Sequence, residues 1–157
     1  MLKRVNKDIS NSITIEQLKE FANIIDTSRD DELQSILMEA IVMVEDKTDV
    51  SLSAMTLEYM PEIPNKRLYL YYKPIKSIVS IKNAITGADE SYLLAYDKSI
   101  NQLNTNDVII IYTTEEAPAS VIDSLRHKVL AIASAIYDGQ TKEEINNILN
   151  TIPLKLC

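Results

Sequence analysis

The hydrophobic pattern of this chain changes period twice. From residue 14 to about residue 49, apolar side chains recur every third or fourth position. From about 55 to 113 they alternate, and from 118 onward the three-to-four spacing returns. A helix repeats its buried face about every 3.6 residues and a strand every second residue. The order predicts an α+β fold, mainly α: a bundle of about four helices, with a small antiparallel β-meander inserted between the second and third. A length of 157 residues suffices for a proper core in one domain. That domain is expected over 14–151, with 1–13 as an N-terminal extension and 152–157 as a C-terminal tail.

The helical segments carry their own start and stop signals. In "TIEQLKEFANII" (14–25), Thr14 and Gln17 stand at capping-box spacing, and Leu18, Phe21, Ala22 and Ile25 share one face. Thr27 or Ser28 is the expected cap of a second helix over 30–49. Its first turn holds Asp30, Asp31 and Glu32, where the positive helix end favours acids. Leu33, Ile36, Leu37, Ala40, Ile41 and Val44 form its stripe. A third helix is expected over 118–138. Pro118 suits its first position, Val121 or Ile122 with Leu125, Val129, Ile132, Ala133 and Ile136 face inward, and Gly139 stops it. The fourth, 141–150, opens with Thr141 and Glu144 at capping-box spacing.

The strands are expected within 55–113. In "RLYLYYKPIKSIVSIKN", Leu68, Leu70 and Tyr72 face one way, and Ile75 or Ile78 with Val79 resume after Pro74. Proline cannot donate to a ladder, so Pro74 marks a break or an edge. "NAITGADES", with Gly87, reads as a turn; "SYLLAYD" and "VIIIYTT" read as further strands.

Charge narrows the function classes. Twenty-three Asp and Glu against sixteen Lys and Arg give a net charge of −7. A protein that grips nucleic acid by its phosphates is normally basic, so this balance argues against a DNA clamp. It does not exclude a wall past which DNA moves without sticking. The single cysteine, Cys157, forms no internal disulfide and supplies no metal cluster, which suits a reducing cytosol. "MLKRVNKDISNSI" lacks the apolar core of a signal peptide, and no stretch approaches the roughly 20 apolar residues of a membrane span.

The candidates for chemistry are few. His127, the only histidine, lies four residues after Asp123; such a pair can orient a general base, and it is also a common surface pair on a helix. Glu115 and Glu116 could act as paired acids, but they also precede a helix N-terminus that favours negative charge. Two glycines far apart, Gly87 and Gly139, allow no glycine-rich phosphate loop. Cys157 has nothing fixed beside it to lower its pKa. Tyr69, Tyr71 and Tyr72 could stack bases, though core or interface packing fits the surrounding acidity better. No nucleophile, base and stabiliser assemble into a site. The chain is expected to be no enzyme and to need no cofactor or metal.

Two surface features remain. Residues 26–49 hold eight acidic residues against Arg29 and Lys47, so most of the net charge sits in one loop and helix. In many copies around an axis, that face would form a negative ring. The third helix carries Ser124, Ala131, Ser134 and Ala135 opposite its main stripe, where another helix could approach closely.

Taken in order, five patterns resemble the head–tail connector, or adaptor, proteins of tailed bacteriophages. "ITIEQLKEFANIID" resembles the opening helix and "DDELQSILMEAIVMVEDKTD" the long second helix. "LYLYYKPIKSIVSIKN" is similar to the family's strand, proline, strand. "VIIIYTTEEAPASVIDSLRHKVLAIASAIYDG" is similar to its last strand and proline-started helix, and "IPLKLC" to its C-terminal segment. The resemblance runs from about residue 13 to the end. One departure is Thr48-Asp49, where the family often has glycine after the second helix.

The resemblance implies a structural virion protein made in the host bacterial cytoplasm and located at the head–tail junction. It implies a ring, commonly of twelve copies, docked beneath the portal and facing a tail-side neck or tail completion protein. Double-stranded DNA would pass through without sequence-specific binding, and no membrane is involved. Three residue sets are expected to serve this role. Glu39, Glu45, Asp46 and Asp49 would line the channel. Ile152, Pro153, Leu154, Lys155, Leu156 and Cys157 would dock on the portal as an extended segment. Met38, Val42, Ala131 and Ala135 would contribute to subunit seams. The rival reading is a cytosolic α+β module that binds a protein or ligand through its tyrosine-rich strands, with a saturable pocket and no rings.

Overall fold

A helix forms where local signals close its ends, and here most of those signals act as the sequence predicts. The computed structural model describes residues 1–7, 12–62, 67–96, 98–101 and 107–153. Helix α1 spans Ile15–Ala22; Thr14 and Gln17 form the expected capping box, each side chain bonded to the other's backbone N–H. It stops earlier than residue 25, because Asn23 turns left-handed (φ 56°), a conformation Asn tolerates well. Ile25 therefore leaves the helical face and stands almost fully exposed.

Helix α2 spans Asp30–Thr48. Its N-cap is Arg29 rather than Thr27 or Ser28. Ser28 instead turns back onto Asp26, giving its Oγ–H to one carboxylate oxygen at 2.7 Å and its N–H to the other at 2.8 Å. Arg29 grips Glu32 through two bonds of 2.6 Å. Asp49 ends the helix in the left-handed region (φ 59°), the role a glycine would fill with less steric cost. Helix α3 spans Ala119–Tyr137, with Pro118 as its N-cap. Gly139 closes it as expected: its N–H reaches the Ile136 carbonyl at 3.0 Å and that of Gln140 the Ala135 carbonyl at 3.0 Å. Helix α4 spans Lys142–Asn150 behind the Thr141/Glu144 capping box.

The strands show what local pattern does not. Strands β2 (Met55–Tyr59), β4 (Ile75–Asn83) and β7 (Val108–Thr114) join β1 (Leu2–Lys7) in a four-stranded antiparallel sheet, ordered β1-β2-β7-β4. Residues 2–7 form an edge strand, in which Leu2 pairs with Tyr59 across a long stretch of chain. Strands β3 (Arg67–Leu68), β5 (Leu93–Leu94) and β6 (Ile100–Asn101) make a second small sheet, ordered β3-β6-β5. The strand content is antiparallel as expected, but it forms two sheets in non-sequential order rather than one meander.

These elements divide into two compact units. The helical unit comprises Asn11–Leu52 and Ala117–Cys157; the sheet unit comprises Met1–Ser10 and Ser53–Glu116. The helical unit buries Leu18, Leu33, Leu37, Ile41, Val44, Ile122, Leu125, Val129 and Ile132 in one cluster. The sheet unit has its own cluster, built on Leu57, Ile81, Ile100, Ile110 and Tyr112. Strand β7 alternates strictly between buried and half-buried positions, as a central strand with one core face must.

Candidate functional surfaces

The acidic helix is the first candidate. Glu39 and Asp46 are exposed on α2, and Asp49 is half-buried at its end. Glu45 is different: it is fully buried, and its Oε1 accepts the N–H of Leu52 at 2.8 Å. A buried carboxylate is tolerated only with hydrogen-bond partners. Glu45 therefore tethers the segment leaving α2 and is withdrawn from the channel-facing set. Beside it, the Ser51 carbonyl accepts the Ala117 N–H at 2.8 Å, so the exit from α2 and the approach to α3 are pinned together in the helical unit.

Other acids in this region have local employment. Asp30 forms an ion pair with Lys19 of α1. The hydrogen bond from Arg29 holds Glu32 below the usual carboxylate range, and the Ser28 hydroxyl does the same for Asp26. Of the expected acidic set, Glu39 and Asp46 are exposed and Asp49 is half-buried, while Glu45 alone is fully buried.

The seam residues separate in the same manner. Met38, Val42 and Ala131 are half-buried, and Met38 packs against the helical core. Ala135 is buried within that core and its Cβ faces inward, so it is withdrawn from the seam set. The reason is the width of the buried arc: α3 also buries Leu130, which broadens the stripe beyond the expected positions. In the C-terminal tail, Ile152 is buried in the helical core and cannot dock elsewhere as it stands, while Pro153 is exposed. Leu154, Lys155, Leu156 and Cys157 lie outside the described residues.

The candidates for chemistry are scattered. His127 is exposed and meets the Phe21 ring edge-on at 5.3 Å between centroids, while Asp123 pairs with Arg126 at 2.8 Å. The anticipated Asp123–His127 couple is thus replaced by two other contacts. Glu115 is exposed and gives its backbone N–H to the Pro74 carbonyl at 3.2 Å. Among the described residues, no three His, Cys, Asp or Glu side chains are grouped to hold a metal ion, and no helix is long and apolar enough to cross a membrane.

The tyrosines behave mainly as structure. Tyr72 is buried beneath the Arg4 guanidinium, 4.8 Å from its ring centre. Tyr71 meets Tyr59 edge-on at 5.4 Å, and burial raises the Tyr59 hydroxyl above the usual phenol range, with Tyr71 adding to the effect. Tyr69 is exposed and stacks with Arg67. A surface the sequence pattern did not single out is the β5 hairpin, where Tyr92, Leu93, Leu94 and Tyr96 are all exposed. Its signal is two adjacent leucines that break the alternation.

Comparison with known proteins gives a likeness of fold. No family model matches the chain, and no curated protein sequence does. Solved structures match over nearly the full length. A chain in the neck of an empty gene transfer agent particle, computed with C6 symmetry, aligns with a TM-score of 0.66 at 17% identity, covering 96% of this chain and 94% of that one. A chain of the virion of a native gene transfer agent particle aligns at 0.57 and 15% identity, covering 98% and 95%. A chain in the neck of the native particle, computed with C12 symmetry, aligns at 0.53 and 17%, covering 96% and 93%.

Proposed function

We propose that this chain is a structural protein of the neck of a phage-like virion, a head–tail connector that forms a ring beneath the portal. The observation that carries the reading is the fold likeness to a neck chain over 96% of this chain and 94% of that one. A match covering both chains almost entirely means that both units and their connections have counterparts. The C6 and C12 symmetries applied to those particles support a ring of twelve copies. The tail-side partner is a neck or tail completion protein, and the ring works without catalysis.

Double-stranded DNA passes through the ring during packaging and ejection. Glu39, Asp46 and Asp49 of α2 contribute to an acidic wall that repels phosphates weakly, screened over roughly 8 Å in physiological salt. Pro153 and the four residues after it dock on the portal, with Ile152 as the anchor that fixes where this segment leaves the helical core. Met38, Val42 and Ala131 lie at seams between copies.

Electron-microscopic imaging of the protein mixed with its portal tests the reading directly. The expected result is an added ring on the portal's tail-side face. A portal left bare at saturating protein, together with absence of this chain from the purified virion, would sink it. Removal of residues 153–157 is expected to abolish the added ring while leaving the fold intact by circular dichroism.

A further inference from the structure

Two faces of this protein combine exposed apolar side chains with charge mostly of one sign, and the signs are opposite. The first lies in the sheet unit. Over residues 67–72 exposure alternates: Arg67, Tyr69 and Tyr71 are exposed, while Leu68, Leu70 and Tyr72 between them are buried in the sheet core. Lys73 and Lys76 follow, and residues 67–76 contain no acid. The row is fixed in place. Arg67 gives its Nε–H to the Ser99 hydroxyl at 2.8 Å, and the Tyr71 carbonyl accepts the Tyr112 hydroxyl at 3.2 Å. The Arg67 guanidinium lies 5.4 Å from the centre of the Tyr69 ring, and Tyr59 meets Tyr71 edge-on. Glu62, near Tyr59, is paired with the Met1 amino group at 3.7 Å. Tyr and Arg are the residue types that dominate protein contacts, and held in this way they lose little freedom on binding.

The second face lies in the helical unit, at the turn from α1 into α2. Among the described residues of that unit, Phe21 and Ile25 are the large apolar side chains left exposed, Ile25 at 95%. Ile24 packs against the helical core, and its neighbour Ile25 stands outside. Residues 20–32 surround the pair with five acids against Arg29 alone. Glu32 engages Arg29 and Lys19 engages Asp30. Glu20, Asp26 and Asp31, all exposed, therefore set the sign of this corner.

We propose that the two faces meet head to tail between copies, the Arg67–Tyr69–Tyr71 row of one chain covering Ile25 of the next; the inference rests on the ring reading above and names a contact for it. Charge selects the pairing. Either face against its own copy sets like charges together, which disfavours a two-fold dimer. The basic row against the acidic corner sets opposite charges together and uses two different surfaces, the type of contact from which rings are built. Chemistry agrees. A tyrosine offers an apolar ring to Ile25 and a hydroxyl to the carboxylates around it. Other exposed apolar side chains of the sheet unit suit the corner less: Ile85 and Tyr92 stand close in sequence to Asp89 and Glu90, which it would repel.

Disulfide trapping tests this on the full chain with Cys157→Ser, which removes the only native thiol. Ile25→Cys combined with Tyr69→Cys, or with Tyr71→Cys, is expected to give dimers, trimers and longer covalent species on oxidation at high concentration. Each change alone is expected to stop at monomers and traces of dimer. All three positions are exposed, so circular dichroism should be unchanged. Adding Lys76→Glu is expected to lower the multimer yield by up to about fivefold, the range of one exposed ion pair, and Asp31→Lys in the same chain to restore it. If neither pair gives more multimer than the single variants, or the yield ignores both charge changes, the contact is overturned. Efficient self-dimerisation of Tyr69→Cys overturns it too. So does binding of a labelled oligothymidine, read by fluorescence anisotropy and lost on Tyr69→Ala, which would assign the row to nucleic acid. If portal images still show rings in any of those cases, the ring reading stands and another surface closes it; bare portals sink that reading separately.

Discussion

The two units of this protein contrast in charge and in how they are specified. The helical unit carries fourteen Asp and Glu against seven Lys and Arg, so the whole net charge of −7 resides there; the sheet unit has nine of each and is neutral. The helical unit is built from segments whose ends are closed by neighbours a few residues away. The sheet unit is built from strands whose partners are far along the chain, as in Leu2 with Tyr59 and Ile75 with Thr114. Acidic charge thus collects where folding is local, and open edges collect where folding is long-range. In the proposed neck role, the first unit supplies both the repelling wall and the seam residues Met38, Val42 and Ala131.

Core truncation puts the largest strain on this comparison. Leu37→Ala in the helical unit and Ile110→Ala in the sheet unit remove side chains with no exposure, and each is expected to cost about 2–5 kcal/mol. Hydrogen exchange should show protection falling first in the unit that carries the change. Equal loss across both units for each variant would show that they unfold as one and erase the distinction.

A smaller effect separates the acids of α2. Glu45→Ala leaves the Leu52 N–H without its carboxylate acceptor, and a buried donor left unmade costs about 1–3 kcal/mol. Glu39→Ala, at an exposed position, should shift stability by no more than about 0.5 kcal/mol. Chemical denaturation of the two variants side by side measures the difference. Equal losses would return Glu45 to the surface set.

The smallest effect is a dependence on pH with opposite sense in the two units. Glu16, Asp26, Glu32 and Glu144, all in the helical unit, have pKa values lowered by hydrogen bonds. For Glu144 the main cause is the bond from the Thr141 backbone N–H. A carboxyl depressed in the folded state stabilises fully above its unfolded pKa and loses that contribution as pH falls through its folded value. Tyr59, in the sheet unit, is raised by burial, so its contribution is complete below the ordinary phenol range and is lost as pH rises through its folded value. Acid should therefore loosen the helical unit first and alkali the sheet unit first. Unit-specific exchange rates across pH read this directly, and Glu144→Gln should flatten the acid limb slightly. An identical pH response of both units would remove the contrast.

How much was legible depended on the range of the interactions. Both capping boxes, the Gly139 stop and the apolar stripes of α2 and α3 were readable, because each is decided by residues within about one helical turn. Strand β1 was not, since "LKRVNK" is too polar and short to announce itself without Tyr59 and Leu57 beside it. Among the proposed surface residues, Glu39 and Asp46 keep the exposure their polarity suggests. Glu45 and Ala135 do not, because a helix's buried arc widens or narrows according to what packs against it. Ile152 reads as an exposed docking residue only until the helical core claims it.

By itself, the sequence determined the helices, both capping boxes and the Gly139 stop, the antiparallel character of the middle and the concentration of acid around α2. These follow from periodicity, capping chemistry and charge, all expressed between near neighbours. The tertiary structure alone decided the division into two units, the recruitment of the first residues as a sheet edge, and the split of the acids into one structural tether and a surface set. The physical reason is that burial and strand pairing are properties of partners, and those partners lie tens of residues away.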